Sequence, residues 1–351
     1  MCSSIDNVRK NSMISITAVL VLCFGWFAAV QAEEEKAETV MGKLAASMKP
    51  GEWKLMETKG LTKGLTLVTK RKLSILGWGD NATWDPNTRQ LLFMGFRLSL
   101  KFIAYSEEEN KWRELPTFKW PLKKSFGHPY GNNAINRKKG VFYHHASASP
   151  FVYAFDIREE KWSRLPTCPF KAKGCGWAIE YFPEMDAILF PYASGQVYKL
   201  DMKKEKWSVL QKGLSYSLHP FIRHNAKHGV VLLGGGNDRE RNLFCINADG
   251  KIKKMAKTPV DIHVRSTKIV EDPVTGDFLV LQRKKFYAYC INRDKWAPLD
   301  DPSMKPPSYD GSLICAPVPE HGVSMWMAAP RYQTGRVWLF KYKRPEALKT
   351  D

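Results

Sequence analysis

The phrase VYAFDIREEKWSRLP at residues 152–166 returns, barely altered, as VYKLDMKKEKWSVLQ at 197–211. A chain that repeats such a phrase is built from units too small to bury their own apolar faces, so neighbouring copies must stack. With Asp156 as a marker, the same slot is filled by Ser106, Asp201, Cys245 and Cys290. The recurrence is about every 45 residues, the period of a propeller blade. An indole follows the marker at Trp112, Trp162, Trp207 and Trp296, whereas the copy marked by Cys245 carries Lys251 and Ile252 there. A sixth copy, VWLFKYKR at 337–344, has only the first half of the phrase.

Ahead of each marker lies an apolar run of strand length: QLLFMGF, GVFYHH, AILFPYA, GVVLLGG, FLVLQR and GVSMWMA. Farther ahead come mixed stretches such as NATWD, NNAIN, WAIEY and STKIV. Each unit therefore reads as strand, turn, strand, loop, strand, charged turn, strand. Tight turns leave no room for crossover helices, so the sheets must be antiparallel. The expected fold is all-β, a six-bladed β-propeller of four-stranded antiparallel blades.

The half copy at the end leaves its blade with an open edge, which proteins avoid. GEWKLME at 51–57 matches the fourth-strand phrases KWRELP and KWSRLP, with Trp53 in the indole slot. The expectation is that this N-terminal strand pairs with Val337 to Tyr342 and closes the ring.

The pattern resembles the Kelch family of β-propellers, which includes the central domain of galactose-oxidase-like proteins. Its aromatic residue ahead of a Trp is matched by Tyr105 before Trp112, Phe155 before Trp162 and Tyr289 before Trp296; Leu200 before Trp207 keeps the spacing without the ring. The family's Gly doublet is present once, in Gly234-Gly235-Gly236. The resemblance spans 51 to about 345 and implies a propeller with its function in the loops. The copper set of a galactose oxidase, with its paired tyrosines and histidines and a Cys linked to Tyr, is not assembled by motif.

Residues 1–32 read as a signal peptide: Arg9 and Lys10 precede an apolar run from Met13 to Val30, and Val30-Gln31-Ala32 offers small residues for cleavage. The alternative is an uncleaved membrane anchor. The organisation expected is a polar linker over 33–50, the propeller over 51–345 and a tail over 346–351. Export favours a disulfide, Cys168 with Cys175 first among the candidates, against the alternative of five buried thiols. No Cys-x-x-Cys pair suggests structural zinc. Asn81-Ala82-Thr83 has the glycosylation pattern.

Periodic Trp residues are structural in this reading, while Trp78, Trp120 and Trp177 fall off the register and are candidates for ligand contact. The loops between second and third strands share a face with the connections between blades. They carry Arg97, Lys101, Arg239, Arg241, Arg283, Lys284, Lys285, Arg331 and Arg336, against few acids. The turns on the opposite face, SEEENK, DIREEK, DMKKEK and NRDK, mix both signs. With 54 basic and 35 acidic residues the chain carries a net charge of +19, and a basic face on a rigid disc attracts polyanions.

A second candidate site lies where each innermost strand begins. Asp80, His128, His219, His263 and Asp310 stand there, with Tyr130, Tyr309 and Arg223 close by in sequence. Imidazoles and carboxylates converging on a central channel suit acid-base chemistry or a divalent metal at the channel mouth; polar channel walls filled with water are the alternative. Two functions of different class follow. One is a secreted, periplasmic or extracellular binding module, monomeric, that recognises an anionic glycan or an acidic protein through the basic face. The other is a carbohydrate-active enzyme of oxidase or lyase type, with its His/Asp site at the channel. Nucleic acid is disfavoured by export, and membrane contact is expected only through an uncleaved signal segment.

Overall fold

The repeated phrases fold as hairpins whose corners share one backbone device. Just before the second strand of every blade stands a residue in the left-handed region: Arg89, Gly140, Asp186, Gly229, Gly276 and Gly322, with φ between 42° and 74°. Asn110, Glu160, Glu205, Gly250 and Asp294 do the same before the fourth strands. A left-handed residue after a tight turn matches the right-handed twist of the strands it joins. Where Arg89 or Glu160 holds that position the strain is outweighed by the sheets on either side.

The computed structural model describes residues 38–68, 73–77, 79–96, 100–118, 130–146, 149–169, 177–192, 195–263, 266–306, 312–329 and 334–349. Its strands form six four-stranded antiparallel sheets. Blade 1 is Thr83–Asp85, Gln90–Phe96, Leu100–Ser106 and Lys111–Leu115. Blade 2 is Asn133–Asn136, Val141–His145, Val152–Asp156 and Lys161–Arg164. Blade 3 is Glu180–Phe182, Ala187–Tyr192, Gln196–Asp201 and Lys206–Gln211. Blade 4 is Phe221–Asn225, Val230–Gly234, Leu243–Ile246 and Ile252–Met255. Blade 5 is Thr267–Glu271, Phe278–Gln282, Lys285–Cys290 and Lys295–Pro298. Blade 6 is Leu313–Val318, Val323–Ala328 and Arg336–Phe340, completed by Trp53–Met56. That closing strand runs antiparallel to the last, with Trp53 opposite Phe340 and Met56 opposite Val337. The first strand of each blade touches its counterparts in both neighbouring blades, so the six innermost strands ring a common axis.

The core lies between the sheets. Along blade 1, Leu91, Phe93, Ile103 and Tyr105 pack against Ile314, Met325, Met327 and Val337 of blade 6. The alternate residues Leu92, Met94, Phe102 and Ala104 pack against Ile135, Phe142, Tyr153 and Phe155 of blade 2. Period-two alternation thus gives every sheet two apolar faces, which is why these strands read as nearly continuous apolar runs. The other four interfaces repeat the scheme.

The periodic Trp residues sit at the outer rim of these interfaces. Tyr105 lies directly opposite Trp112, Phe155 opposite Trp162, Leu200 opposite Trp207 and Tyr289 opposite Trp296. The indole N–H then reaches back to the exit of the preceding blade: Trp162 to the Pro116 carbonyl at 2.7 Å, Trp207 to Pro166 at 2.9 Å, Trp112 to Thr58 Oγ1 at 3.1 Å and Trp53 to Met304 at 3.0 Å. In blade 4 five residues separate the third and fourth strands, against four in blades 1, 2, 3 and 5, and Ile252 lies opposite Ile246.

Part of the stretch expected to be a polar linker is a short helix, α1 (Val40–Ala46), capped by Thr39 Oγ1, which accepts from the Gly42 amide at 3.0 Å. Met41, Ala45 and Met48 are buried on the seam between blades 6 and 1, because VMGKLAASM is amphipathic at helical spacing. Thr39 also donates to Glu107 Oε1 at 2.6 Å. Glu107, fully buried in the third turn of blade 1, also receives Arg89 and His321 Nε2. Burial pushes its carboxyl pKa up, but the hydrogen bonds from His321, Arg89 and Thr39 outweigh that and hold it below the usual range.

Cys168, Cys245, Cys290 and Cys315 are free thiols, the first and last two buried and Cys245 half-buried. Cys175, the expected partner of Cys168, lies outside the described residues, as does the apolar segment 13–30. Among the described residues no helix is long and apolar enough to cross a membrane.

Candidate functional site

The innermost strands carry polar residues at positions that face the axis, and in the structure these meet. Asp80, just ahead of blade 1, is buried; its Oδ2 accepts from Arg223 Nη2 of blade 4 at 2.7 Å and its Oδ1 from the Gly131 amide at 2.6 Å. Lys268 of blade 5 is fully buried and donates from Nζ to the Gly79 carbonyl. Desolvation lowers its pKa to about 8, against the opposing pull of the Asp80 charge. Cys315 of blade 6 points its thiol at the Asp80 carbonyl, 3.6 Å away, and burial raises its pKa to about 12. One carboxylate, one guanidinium and one amine therefore tie blades 1, 4 and 5 together across the axis. A buried set of this kind is tolerated only when its members satisfy one another.

Of the residues expected at the channel entry, the structure brings three together beside this ionic plug. His219 holds a left-handed backbone, φ 67°, and is buried. Its Nδ1 lies 3.3 Å from Asn237 Oδ1, and its ring meets that of Tyr130 edge-on at 5.0 Å. Desolvation lowers its pKa, Asn237 raises it, and the neighbouring His263 lowers it further. His263, half-buried, is held by its amide donating to Thr267 Oγ1 at 3.2 Å. His128, Asp310 and Tyr309 lie outside the described residues. Among the described residues no three His, Cys, Asp or Glu side chains are placed to hold a metal ion.

The basic loop face is assembled from separate blades. Arg239, Arg241, Arg283, Lys284, Lys285 and Arg336 are exposed. Gln282 pairs with Lys285 across a two-residue turn, and Arg283 takes the left-handed conformation, φ 57°, so three successive cations crown one hairpin tip. Arg241 is committed to Asp261, Nε to Oδ1 at 2.8 Å. Lys101 is turned aside and donates to the Gly64 carbonyl. Arg97 and Arg331 lie outside the described residues, as do Trp78 and Trp120. Trp177 is a core residue: it is buried and stacked on Tyr192 at 4.4 Å, 4° from parallel.

On the other side of the plug the axis widens into a cavity of about 260 Å³ that reaches the face of the first turns. Asn81, Asn133, Glu180, Arg223 and Glu271 are among the residues that line it, with Arg137 and Lys138 toward the mouth. Glu180, Glu271, Asn81 and Asn133 are missing from the sequence-based candidates. The available signal was a polar residue inside each first-strand run (NATWD, NNAIN, WAIEY, STKIVE), where an apolar interior would exclude it. The glycosylation pattern at Asn81 is a structural coincidence, since the side chain is 5% exposed and Nδ2 donates to the Asn133 carbonyl at 2.7 Å inside the channel.

Compared with known proteins, the chain matches no protein-family model and no curated sequence.

Proposed function

We propose that this chain is an exported binding module of divergent Kelch type whose basic loop face takes an extended anionic ligand, an acidic or sulfated polysaccharide or an acidic protein segment. The carrying observation is the hairpin tip of blade 5, where Arg283, Lys284 and Lys285 stand exposed in succession. Lys284 and Lys285 make no ion pair among the described residues. Arg239 and Arg336 extend the same face around the ring. Among the described residues the axis on this side is closed by the Asp80, Arg223 and Lys268 cluster, and the exposed cations stand on separate loops around it. That arrangement suits a polymer, attracted through a field that salt weakens. The facing aromatic and Trp residues of blades 1, 2 and 5 support the Kelch likeness.

The test is binding of the purified chain to dextran, alginate and dextran sulfate at low and high salt. The expected result is salt-sensitive binding to the two anionic polymers, weakened about tenfold or more when Arg283, Lys284 and Lys285 are together changed to Glu. Equal binding to dextran, or no effect of the triple change, overturns the assignment.

A further inference from the structure

We propose that the cavity on the first-turn side of the plug is a second site, separate from the basic face, and that it binds a small organic ammonium ion.

The inner wall of the cavity has its donors engaged and an acceptor left over. Asn81 Nδ2 donates to the Asn133 carbonyl at 2.7 Å, and Asn133 Nδ2 donates to the Asn81 and Met94 carbonyls, both at 3.3 Å. The Arg223 guanidinium is held by Asp80 and by the carbonyls of Ile222 and Ile269. Among the described residues Asn81 Oδ1 has no hydrogen-bond partner, although the residue is 5% exposed and lines the cavity. A buried amide oxygen left unpaired costs roughly 1–3 kcal/mol, so a ligand that supplies a donor there is favoured.

Carboxylates around the same cavity favour a cationic donor. Glu180 and Glu271, from blades 3 and 5, are both buried and both line the cavity. Glu180 accepts from the Tyr181 amide at 3.1 Å and Glu271 from the Lys227 amide at 3.1 Å. Arg223 is paired with Asp80 and His224 with Glu184 at 3.1 Å, and the His224 backbone and the Arg137 charge also act on Glu180; both buried carboxylates line the space. Burial raises the Glu180 pKa, with Arg223 and His224 opposing. A bound ammonium offsets that desolvation. The rest of the wall is largely apolar, with Ile135, Ile269, Val270 and Pro317, so it accepts a short carbon chain behind the charged head. Arg137 and Lys138 at the mouth repel cations and favour a ligand whose far end is neutral or anionic.

The experiment is calorimetric titration of the full chain with ethanolamine and putrescine, and with glycerol and acetate as neutral and anionic probes of similar size. Saturable binding of an amine, with no heat from glycerol or acetate, is expected. Glu180→Gln should weaken it tenfold or more, and Arg137→Gln, a change at the mouth away from the core, should tighten it severalfold. Failure of both amines to bind the parent chain at millimolar concentration overturns the proposal, as does equal binding of glycerol. Unchanged amine affinity in a folded Glu180→Gln protein overturns it too. Because the triple Glu change on the basic face leaves this cavity untouched, amine binding should survive it, so the two sites can fail independently.

Discussion

Trp53 lies against Phe340 with ring centroids 4.5 Å apart and planes 24° from parallel, joining the first strand of the propeller to the last. The contact reproduces, across the seam of the ring, the pairing that Tyr289 and Trp296 make within blade 5 at 4.5 Å and 27°. The seam is therefore a normal blade assembled from the two ends of the fold.

Trp53→Ala should destabilise the fold by about 3 kcal/mol, the low end for truncating a large aromatic because this ring is only partly buried. Trp53→Phe keeps the stack and loses the hydrogen bond to the Met304 carbonyl, a loss of about 1 kcal/mol. Urea unfolding measures both. A cost below about 1 kcal/mol for the alanine variant would mean that the seam does not hold the ring.

The indoles of blades 3 and 5 should respond differently to the same change. Trp207 Nε1 donates to Pro166 at 2.9 Å, whereas Trp296 Nε1 is buried and has no hydrogen-bond partner among the described residues. Trp207→Phe should cost about 1 kcal/mol through the lost bond, while Trp296→Phe removes an unpaired donor and should be neutral or stabilising. Equal losses in urea midpoint for the two variants would contradict the assignment.

The repeat, the blade count and the closing strand were legible because they depend on alternation and on one large side chain per unit, both local signals. Helix α1 was hidden because its apolar face of Met41, Ala45 and Met48 sits inside a stretch whose overall composition is polar. The plug was half legible. Asp80 and Arg223 could be named as channel candidates, but their pairing spans blades 1 and 4, and no spacing in a sequence encodes which blades face each other across an axis. Trp177, singled out because it falls off the blade register, is buried with its ring stacked on Tyr192, a contact that no spacing in the sequence encodes. Glu180 and Glu271 went unnoticed because each is a single acid within a short apolar run, and which face of a strand meets the axis depends on blades far apart in sequence.

Acid should weaken the fold through blade 2. His145 is fully buried, its Nε2 lies 3.2 Å from the Ser149 carbonyl and its ring meets Phe190 edge-on at 4.9 Å. Burial lowers its pKa from 6.5 to about 4, only partly opposed by the Ser149 carbonyl, and His144 is lowered as well. Between those values the unfolded chain binds the proton that the folded chain refuses. The stability contributed is thus present above pH 6.5 and is lost as pH falls toward 4, on the order of 3 kcal/mol for His145. Unfolding midpoints followed from pH 7 to 4.5 should fall less steeply for His145→Gln than for the parent; identical slopes would remove His145 from the acid response.

Alkaline conditions should reveal Lys268 by the opposite route. Its folded pKa, about 8, lies below the unfolded value of 10.5, so in that interval the unfolded chain again holds the extra proton. The charged amine is a cost to the fold below pH 8, and that cost is relieved as pH rises through the interval. Lys268→Met keeps the Asp80 and Arg223 pair at 2.7 Å and removes the titrating amine. Thiols and tyrosines raised by burial pull stability down at high pH in both proteins, and most of that cancels in the difference. From pH 7.5 to 9.5 the parent should therefore gain roughly 1–2 kcal/mol relative to Lys268→Met in urea unfolding. A difference that stays constant with pH would mean the amine is ordinary in the folded state. The ionic plug would then be more hydrated than its buried geometry implies.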